Sequence, residues 1–156
     1  MTEREYVLRP VRLSDAADLQ HHCLPEQSLA DVQSYLQWCL AQTEKGRMVR
    51  LVAEVDGQVI GGGQLAIHRH DAEIGSLVVA PPWRRRGIGT ALLKALIDAA
   101  QTHGVQALEL MASTDLPWLQ DWYGGLGFVH DGERALPGDE RVVVMRMLFR
   151  CPSPRR

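Results

Sequence analysis

A short basic turn between an apolar segment and an amphipathic segment is the feature that most constrains this chain. Residues 78–92 read Val-Val-Ala-Pro-Pro-Trp-Arg-Arg-Arg-Gly-Ile-Gly-Thr-Ala-Leu, which predicts a strand, a turn and a helix in direct succession. The first N–H groups of a helix have no intrahelical partner and lie at the positive end of its dipole, so they attract anions. Gly87 and Gly89 carry no Cβ that would keep a phosphate away, and three arginines at 84–86 add positive charge. The turn is therefore predicted to hold a diphosphate at the end of a strand.

Two other phosphate motifs fit this turn less well. A P-loop needs Gly-Lys-Ser/Thr at the helix start, and these residues do not follow Gly89. A dinucleotide-binding fingerprint needs a third glycine, and Leu92 stands in its place. Glu109 lies about 20 residues further on, as a ribose-binding carboxylate should, but it falls in the middle of the next predicted strand. A basic turn that is merely solvated is the remaining alternative.

The pattern Arg-x-x-Gly-x-Gly at residues 84–89 resembles the acyl-CoA-binding motif of the GNAT family of N-acetyltransferases. Upstream, residues 72–79 (Ala-Glu-Ile-Gly-Ser-Leu-Val-Val) resemble the fourth strand of that family. Downstream, residues 122–128 (Trp-Tyr-Gly-Gly-Leu-Gly-Phe) resemble its aromatic-Tyr-x-x-x-Gly-Phe signature. Together these similarities extend over roughly residues 51–148.

Hydrophobic periodicity, caps and turns predict the element order β-α-α-β-β-β-α-β-α-β-β. Ser14 and Ser28 are the predicted N-caps of the first two helices, and Asp-Gly at residues 56–57 predicts a hairpin. The order is that of the GNAT family, so the resemblance implies its α/β acyl-CoA N-acyltransferase fold. In that fold a mixed sheet opens after the fourth strand to admit the pantetheine arm of the cofactor. Residues 1–150 are expected to form a single domain, and residues 151–156 a frayed C-terminal tail.

Two local patterns refine this prediction. Gly61-Gly62-Gly63 interrupts the second strand of the hairpin, which predicts a bulge or a close approach of two backbones. The helix after the basic turn is predicted to bury one stripe of side chains. That stripe consists of Ile88, Leu92, Ala95, Leu96 and Ala99.

Composition and charge exclude several function classes. With 17 Lys and Arg against 19 Asp and Glu, the net charge of −2 argues against a nucleic-acid-binding domain, which usually carries a basic excess. No apolar run is long enough to cross a membrane and the first residues are not a signal peptide, so no membrane association and a cytoplasmic location are expected. The three cysteines lack CxxC spacing, and His68 and His70 lack a third ligand. No disulfide framework and no metal site are therefore expected.

The resemblance implies that acetyl-CoA contacts two neighbouring segments. The backbone amides of residues 84–90 are expected to hold the pyrophosphate, and the strand before them to pair with the pantetheine arm as if it were an added strand. Alternation along that strand predicts that Glu73, Gly75, Leu77 and Val79 share one face. The expected cofactor-binding residues are Leu77, Val78, Val79, Arg84, Arg85, Arg86, Gly87, Ile88, Gly89 and Thr90.

Acetyl transfer to an amine requires that one proton leave the ammonium group and that another reach the departing thiolate. Tyr123 matches the family tyrosine that protonates the thiolate, and the alternative is an aromatic anchor that packs the short helix. Glu73 matches the strand glutamate that acts as the base in some members, and the alternative is a cross-strand ion pair with an arginine. His21 and His22 end the first helix, where the family builds its acceptor pocket. They are expected to contact substrate, to act as the base, or to be ordinary exposed histidines.

One position departs from the family pattern. Many members carry an asparagine seven residues before the tyrosine, where it reaches the cofactor and braces the helix. This chain has Leu116 there, next to Asp115. The last helix is therefore predicted to start differently, and a carboxylate at that place would be repelled by the CoA phosphates.

These observations predict an acetyl-CoA-dependent N-acetyltransferase in which the amine attacks the thioester directly within a ternary complex. No cysteine has the surroundings of a nucleophile, which argues against a covalent acetyl-enzyme. Two other classes fit the same sequence: a CoA-binding sensor or regulatory module without catalysis, and an interaction protein that uses the fold as a scaffold. The acceptor is expected to be a small-molecule amine or the amine of a peptide or protein. Homodimers are common in the family.

Overall fold

The computed structural model describes residues 5–149, so the predicted frayed tail at residues 151–156 lies outside the described residues. Short 3₁₀ turns at Leu13–Asp15 and Pro81–Trp83 precede the first helix and follow the fourth strand. The predicted order of helices and strands and the α/β class are confirmed. The elements are β1 (Val7–Pro10), α1 (Ala16–His22), α2 (Leu29–Glu44), β2 (Met48–Val55), β3 (Gln58–Ile67), β4 (Asp71–Val79), α3 (Ile88–Thr102), β5 (Ala107–Ser113), α4 (Pro117–Gly125), β6 (Val129–Ala135) and β7 (Arg141–Leu148).

The seven strands form one mixed sheet in the order β1-β2-β3-β4-β5-β7-β6. Neighbouring strands are antiparallel except β4 and β5, which run parallel and pair through three residues each. The last of these pairs joins Glu73 to Glu109, although β4 continues to Val79 and β5 continues to Ser113. The predicted opening of the sheet after the fourth strand is therefore present.

Helices cover both faces of the sheet. The helices α1 and α2 pack on β2 and β3 from one side, and α3 packs on β2, β3 and β4 from the other. The short helix α4 contacts β5, β6 and β7, and its Tyr123 joins the same core cluster as the α3 residues. None of the helices within residues 5–149 combines the length and the apolar character needed to cross a membrane.

The buried stripe of α3 is wider than its periodicity predicts. Ile88, Leu92 and Leu96 are buried as expected, whereas the predicted Ala95 and Ala99 are only half-buried. The helix lies over the middle of the sheet and contacts two core clusters, so a broad arc of its surface is covered. The buried residues missing from the prediction are Leu93 and Ala100.

A bulge in β4 changes the face that its last residues occupy. Two residues of β4, Ser76 and Leu77, oppose the single residue Gly63 of β3. Ser76 has a φ of +51°, which turns the strand at this point. Leu77 consequently points to the α3 side, where its Cδ1 lies 2.8 Å from the place that a Cβ on Gly63 would take. The prediction that Leu77 and Val79 share a face with Glu73 is therefore wrong.

The glycine-rich stretch of β3 and the preceding hairpin match their predictions. Asp56 and Gly57 have φ values of +50° and +80°, as a tight two-residue hairpin turn requires. The pairing of β2 with β3 shifts register beside Gly61, and that of β3 with β4 shifts beside Gly62. A Cβ on Gly61 would lie 3.0 Å from a backbone carbonyl of β4. The glycines therefore permit the close approach that brings the bulge of β4 against β3.

The two predicted helix caps have different outcomes. The Ser28 side chain accepts a hydrogen bond from the Asp31 N–H at 3.0 Å, so this cap is confirmed. Ser14 is not a cap, because a 3₁₀ turn occupies its place and α1 begins after Asp15. Asp15 occupies the N-cap position of α1 but makes no side-chain cap hydrogen bond there, because its buried carboxylate accepts the Arg12 N–H at 2.7 Å and so closes the 3₁₀ turn. Sequence spacing does not distinguish two adjacent residues that are both good caps.

Candidate active site

The predicted phosphate turn links β4 to α3. Gly87 is the N-cap of α3 and has a φ of +83°, a left-handed conformation that favours glycine. The Ala91 N–H donates to the Gly87 carbonyl at 3.0 Å, so the N–H groups of residues 88–90 precede the helical hydrogen bonds. Arg85 is also left-handed, and the arginines at 84–86 are exposed. The turn therefore presents successive N–H groups and three guanidinium groups at its surface.

Gly89 lies in the first turn of α3, between β4 and α4. A Cβ at this position would lie 3.8 Å from the Val79 side chain and 3.8 Å from the Trp122 ring, which are ordinary contacts. The Arg86 guanidinium lies 5.0 Å from the centre of the Trp83 ring, within the range of a cation–π contact. Because the contacts of a Cβ at residue 89 would be ordinary, packing inside the protein does not require a glycine there. The glycine instead leaves the backbone at the start of α3 uncovered by a side chain of its own.

The edge of β4 that faces β5 is unpaired after Glu73 within residues 5–149. The Ala80 N–H donates to the Ile60 carbonyl on β3 at 2.7 Å. The Val79 carbonyl belongs to the same planar peptide group, so it points away from β3 toward the open side. Arg84 Nε donates to this carbonyl at 3.0 Å. An extended ligand at this edge can therefore form hydrogen bonds with the other backbone groups of β4. To bind the Val79 carbonyl itself, the ligand must displace the Arg84 side chain.

Tyr123 lies on α4 and is largely buried, with 7% of its surface exposed. Its ring packs 5.0 Å from the Trp122 ring and 6.2 Å from the Phe128 ring, measured between centroids. Burial raises the pKa of the phenol, so the hydroxyl stays protonated to higher pH than in water. Within the described residues its hydroxyl has no hydrogen-bond partner. The ring is thus an anchor of the core, and its O–H is an unused donor.

Glu73 and Glu109 lie side by side on β4 and β5. Glu109 forms an ion pair with Arg134, with 3.3 Å between its Oε1 and Arg134 Nη2. Glu73 is half-buried and has no ion-pair or hydrogen-bond partner for its carboxylate among residues 5–149. Arg146 on β7 lies opposite Glu109 in the strand register. Its guanidinium contacts the carboxylate of Asp71, 3.7 Å away, and not that of Glu73. The expected alternative, an ion pair between Glu73 and an arginine, is therefore not found within residues 5–149.

The start of α4 accommodates the leucine that replaces the usual asparagine. Leu116 occupies the N-cap position, is 40% exposed and makes no capping side-chain hydrogen bond. The helix begins at Pro117, whose missing N–H needs no partner in a first turn. The Asp115 N–H donates to Ser113 Oγ at 3.2 Å, which holds the preceding turn. The last helix of the predicted order is therefore present, and it begins without a side-chain cap from residue 116.

His21 and His22 line an open cleft of about 470 Å³ between the end of α1 and the turn after β4. Their rings meet edge to face with centroids 4.8 Å apart. The opposite wall of the cleft comes from residues 80–84, which include Trp83 and Arg84. The two histidines therefore lie near the predicted cofactor turn, and a role in binding the acceptor or as the base stays a prediction.

A second cleft of about 410 Å³ contains a residue that the sequence analysis missed. It is lined by Leu24, Gln27, Tyr35, Arg50, Ser76, Leu77 and Val78. Arg50 lies on β2 and is only 3% exposed. A charged residue in an alternating strand is ordinarily read as facing solvent. The signal that was available is that Met48 and Val52, two positions before and after it, are apolar and share its face.

The cysteines and histidines show no further chemical site in the described part of the chain. Burial raises the pKa of the Cys23 thiol to about 11, so it is almost wholly protonated at neutral pH. Burial likewise raises the pKa of the Cys39 thiol. Within residues 5–149 no three His, Cys, Asp or Glu side chains lie close enough to hold a metal ion, and His68 and His70 belong to no such group.

Comparison with known proteins matches this chain to one family and to several relatives. Residues 13–128 match the model of the Acetyltransferase (GNAT) family. The L-2,4-diaminobutyric acid acetyltransferase of Nocardia farcinica is 38% identical to this chain over 116 residues. The match covers 71% of this chain and 58% of that protein. An uncharacterised N-acetyltransferase of Methanocaldococcus jannaschii is 32% identical over 101 residues, 60% of this chain and 43% of that protein. The chain thus matches about half the length of these curated relatives.

Solved structures share the fold. The Salmonella typhimurium protein yncA, solved with acetyl-CoA, superposes with a TM-score of 0.78 over 97% of this chain and 98% of that chain at 20% identity. The ribosomal-protein-alanine N-acetyltransferase of Brucella melitensis gives 0.77 over 92% and 99% at 22% identity. The paiA N-acetyltransferase of Thermoplasma acidophilum, solved with coenzyme A, gives 0.71 over 93% and 99% at 17% identity.

Proposed function

We propose that this chain, which belongs to the acetyltransferase (GNAT) family, transfers an acetyl group from acetyl-CoA to a primary amine. The observation that carries the proposal is the continuity of two features on one segment. The unpaired edge of β4 leads directly into a turn whose N–H groups and guanidinium groups suit a diphosphate. An extended arm and a diphosphate are the two recognition elements of CoA. The seven strands form one sheet, which supports assigning this activity to one domain over residues 1–150.

The residues present fit the cofactor. The N–H groups of residues 88–90 and the arginines at 84–86 would hold the pyrophosphate, and the left-handed Gly87 lets the backbone turn toward it. The backbone of residues 77–79 would pair with the pantetheine arm, which reaches into the gap between β4 and β5. When bound, acetyl-CoA supplies a thioester carbonyl that an uncharged amine attacks.

Two side chains are assigned the two proton transfers. Glu73 lies at the point where β4 and β5 part, and its carboxylate has no ion-pair or hydrogen-bond partner among the described residues. It takes a proton from the incoming ammonium group, directly or through one water. Tyr123, whose raised pKa keeps its phenol protonated, donates its proton to the departing sulfur. The C–S bond breaks as the N–C bond forms, so a new amide and free CoA thiol result.

The mechanism requires no covalent acetyl-enzyme. The Cys23 thiol, whose pKa is about 11, is a poor nucleophile at neutral pH. The sequence alternatives for the acceptor remain small-molecule amines and the amines of peptides or proteins. The diaminobutyrate acetyltransferase relative favours a small diamine or amino acid. The expected homodimer is a separate prediction, which light scattering after size-exclusion chromatography would test.

The experiment is an amine panel with a free-thiol readout. Purified protein is mixed with acetyl-CoA and each of a set of amino acids, polyamines and peptides, and CoA release is followed with a thiol reagent. Amine-dependent release, with the acetylated amine identified by mass spectrometry, is the expected result. CoA binding without release from any amine would instead support a sensor or regulatory module. Absence of any CoA-dependent thermal shift would support a scaffold role.

A further inference from the structure

The guanidinium of Arg50 is buried without a carboxylate partner among residues 5–149. Its Nη1 donates to Gln64 Oε1 at 2.8 Å, and its Nε has no hydrogen-bond partner. The Tyr35 ring lies beneath it, with 5.3 Å between the guanidinium carbon and the ring centroid. A buried charge is costly unless it is paired, and a guanidinium offers five N–H donors in a fork that matches a carboxylate. The site therefore has the capacity to bind an anion.

The second cleft is where that anion would enter. The cleft, which Arg50 lines together with Tyr35, reaches the bulge of β4 at residues 76–78. The same stretch of β4 has the unpaired edge at which the pantetheine arm is proposed to bind. A molecule in this cleft therefore lies beside the segment of β4 at which the pantetheine arm is proposed to bind. The cleft volume of about 410 Å³ suits a small molecule.

On the sheet surface between Arg50 and Glu73, the position above Gly75 is open. Arg50 pairs with Gln64, and Gln64 pairs with Gly75 on β4, so these three residues form a row across one face. Gly75 has no side chain, and a Cβ on it would meet no atom within 4 Å. Glu73 lies two residues before Gly75 and faces the same side. Two strand spacings, roughly 10 Å, separate β2 from β4, and the long Arg50 side chain covers part of that distance.

We infer that the acceptor is a small amine that also carries a carboxylate, held by Arg50, so that it belongs to the amino-acid class. The carboxylate binds the guanidinium fork, the carbon chain lies over Gly75, and the amine faces Glu73. Gln64 and Tyr35 are positioning residues, because the Gln64 amide oxygen accepts hydrogen bonds from both the Tyr35 hydroxyl and Arg50. The inference rests on the proposed acetyl transfer and specifies its substrate class.

The test compares amino acids with amines that differ only by the carboxylate. The pairs are 2,4-diaminobutyrate with 1,3-diaminopropane, ornithine with putrescine, and lysine with cadaverine. Wild-type protein is expected to favour the acids by about tenfold or more in kcat/KM. Arg50→Met should lower kcat/KM for the acids by about 30-fold or more, because it removes the guanidinium with which the substrate carboxylate is proposed to pair. The same variant should lose much less activity toward the decarboxylated amines, so that the preference for the acids falls.

Two controls separate charge recognition from folding. Arg47→Met removes an exposed arginine next to β2 and should change neither series. Arg50→Lys keeps the charge without the fork, so it should recover part of the activity toward the acids. Calorimetric titration of wild-type protein and CoA with lysine and with lysinamide needs no variant. The acid should bind at least tenfold more tightly.

The outcomes are distinct. Equal use of acids and decarboxylated amines by wild type, or equal losses for both in Arg50→Met, overturns the inference and leaves the acetyltransferase proposal standing. Equal affinity for lysine and lysinamide also overturns it. No CoA release from any amine in the panel rejects the acetyltransferase proposal itself, and with it the substrate class.

Discussion

Glu73 on β4 and Glu109 on β5 are the last residues that join the two strands before they separate. Two carboxylates in register on adjacent strands repel each other unless a cation compensates them. Arg134 pairs with Glu109, and no cation among residues 5–149 pairs with Glu73. The two residues are therefore chemically alike but differently engaged. This difference makes them a matched pair for testing which carboxylate takes part in proton transfer.

Glu73→Gln is expected to lower kcat/KM at neutral pH by about 10²-fold or more, since it keeps the shape and removes the proton acceptor. The deficit should shrink at high pH, where more of the amine is already uncharged. These quantities come from the thiol-release assay across pH, with circular dichroism to confirm folding.

Glu109→Gln is the control for this variant. It alters the neighbouring carboxylate, whose partner Arg134 is exposed, so little change in kcat/KM is expected. If Glu73→Gln melts far earlier while activity per folded molecule is unchanged, Glu73 has a structural role. The base would then be sought at His21, His22 or an ordered water.

Tyr123→Phe is expected to lower kcat by about 10²–10⁴-fold while leaving CoA affinity nearly unchanged. The proposed cofactor contacts are mostly backbone groups on other segments, and the phenyl ring keeps its packing against Trp122 and Phe128. The Tyr123 hydroxyl has no partner within the described residues, so the melting temperature should not fall. Unchanged kcat, with chemistry shown to be rate-limiting, would leave Tyr123 a packing role alone.

The order of elements was predictable because its signals are local. Asp56-Gly57 specifies a hairpin, Ser28 caps a helix, and the basic turn with Gly87 marks the start of α3. Each depends on the conformation of a few adjacent residues. The extent of β6 (Val129–Ala135) is less predictable, because all its side chains are exposed and so carry no alternating pattern of burial.

The site was predictable only in part because its geometry depends on pairing between strands. One inserted residue at Ser76 places Leu77 on the α3 face, and alternation along a single strand gives no sign of such an insertion. Arg50 was missed for a related reason. Its burial results from the cover that α2 gives to β2, and a strand pattern alone does not show which polar position is covered.

Asp15→Asn is expected to destabilise the protein by about 2–3 kcal/mol at pH 7, the scale of hydrogen bonds to a buried charged group. Its carboxylate accepts two hydrogen bonds from Arg9, at 2.8 and 2.9 Å, and one from the Arg12 N–H. Burial alone would raise the pKa of Asp15, but these bonds outweigh it and the pKa ends below its usual value. Urea unfolding of both proteins at pH 7 gives the difference.

The same bonds give the pH dependence a definite sign. Because the folded pKa of Asp15 is depressed, its contribution is complete above the unfolded value near ~4 and is lost as pH falls through the folded pKa. The gap between wild type and Asp15→Asn should therefore narrow below about pH 4. A gap that stays constant between pH 7 and pH 3 would contradict the ionised pairing with Arg9.

Cys23→Ser is expected to keep kcat within about threefold, because a thiol whose pKa is about 11 is not the acetyl carrier. At pH 8 only about one thiol in a thousand is ionised, so iodoacetamide should alkylate Cys23 far more slowly than a free thiol. The measurement is mass spectrometry over time on a Cys151→Ser background. Rapid labelling of Cys23, or a trapped acetyl thioester on it, would argue for a covalent route.

Gly89→Glu is expected to abolish the rise in melting temperature that CoA produces in wild type. The new side chain starts between Val79 and Trp122, at the helix start proposed to hold the pyrophosphate, and adds a like charge there. A ligand at 100 times its Kd stabilises the native state by about 2.7 kcal/mol, and the variant should lose this gain.

Without CoA the Gly89→Glu variant should melt no earlier than wild type, since a carboxylate near a helix N-terminus and the loss of a helical glycine both favour the helix. Gly89→Ala is the matched control, because its Cβ makes only ordinary contacts at 3.8 Å and it should keep the CoA response. A Gly89→Glu protein that CoA stabilises as much as wild type would show that the phosphates bind elsewhere.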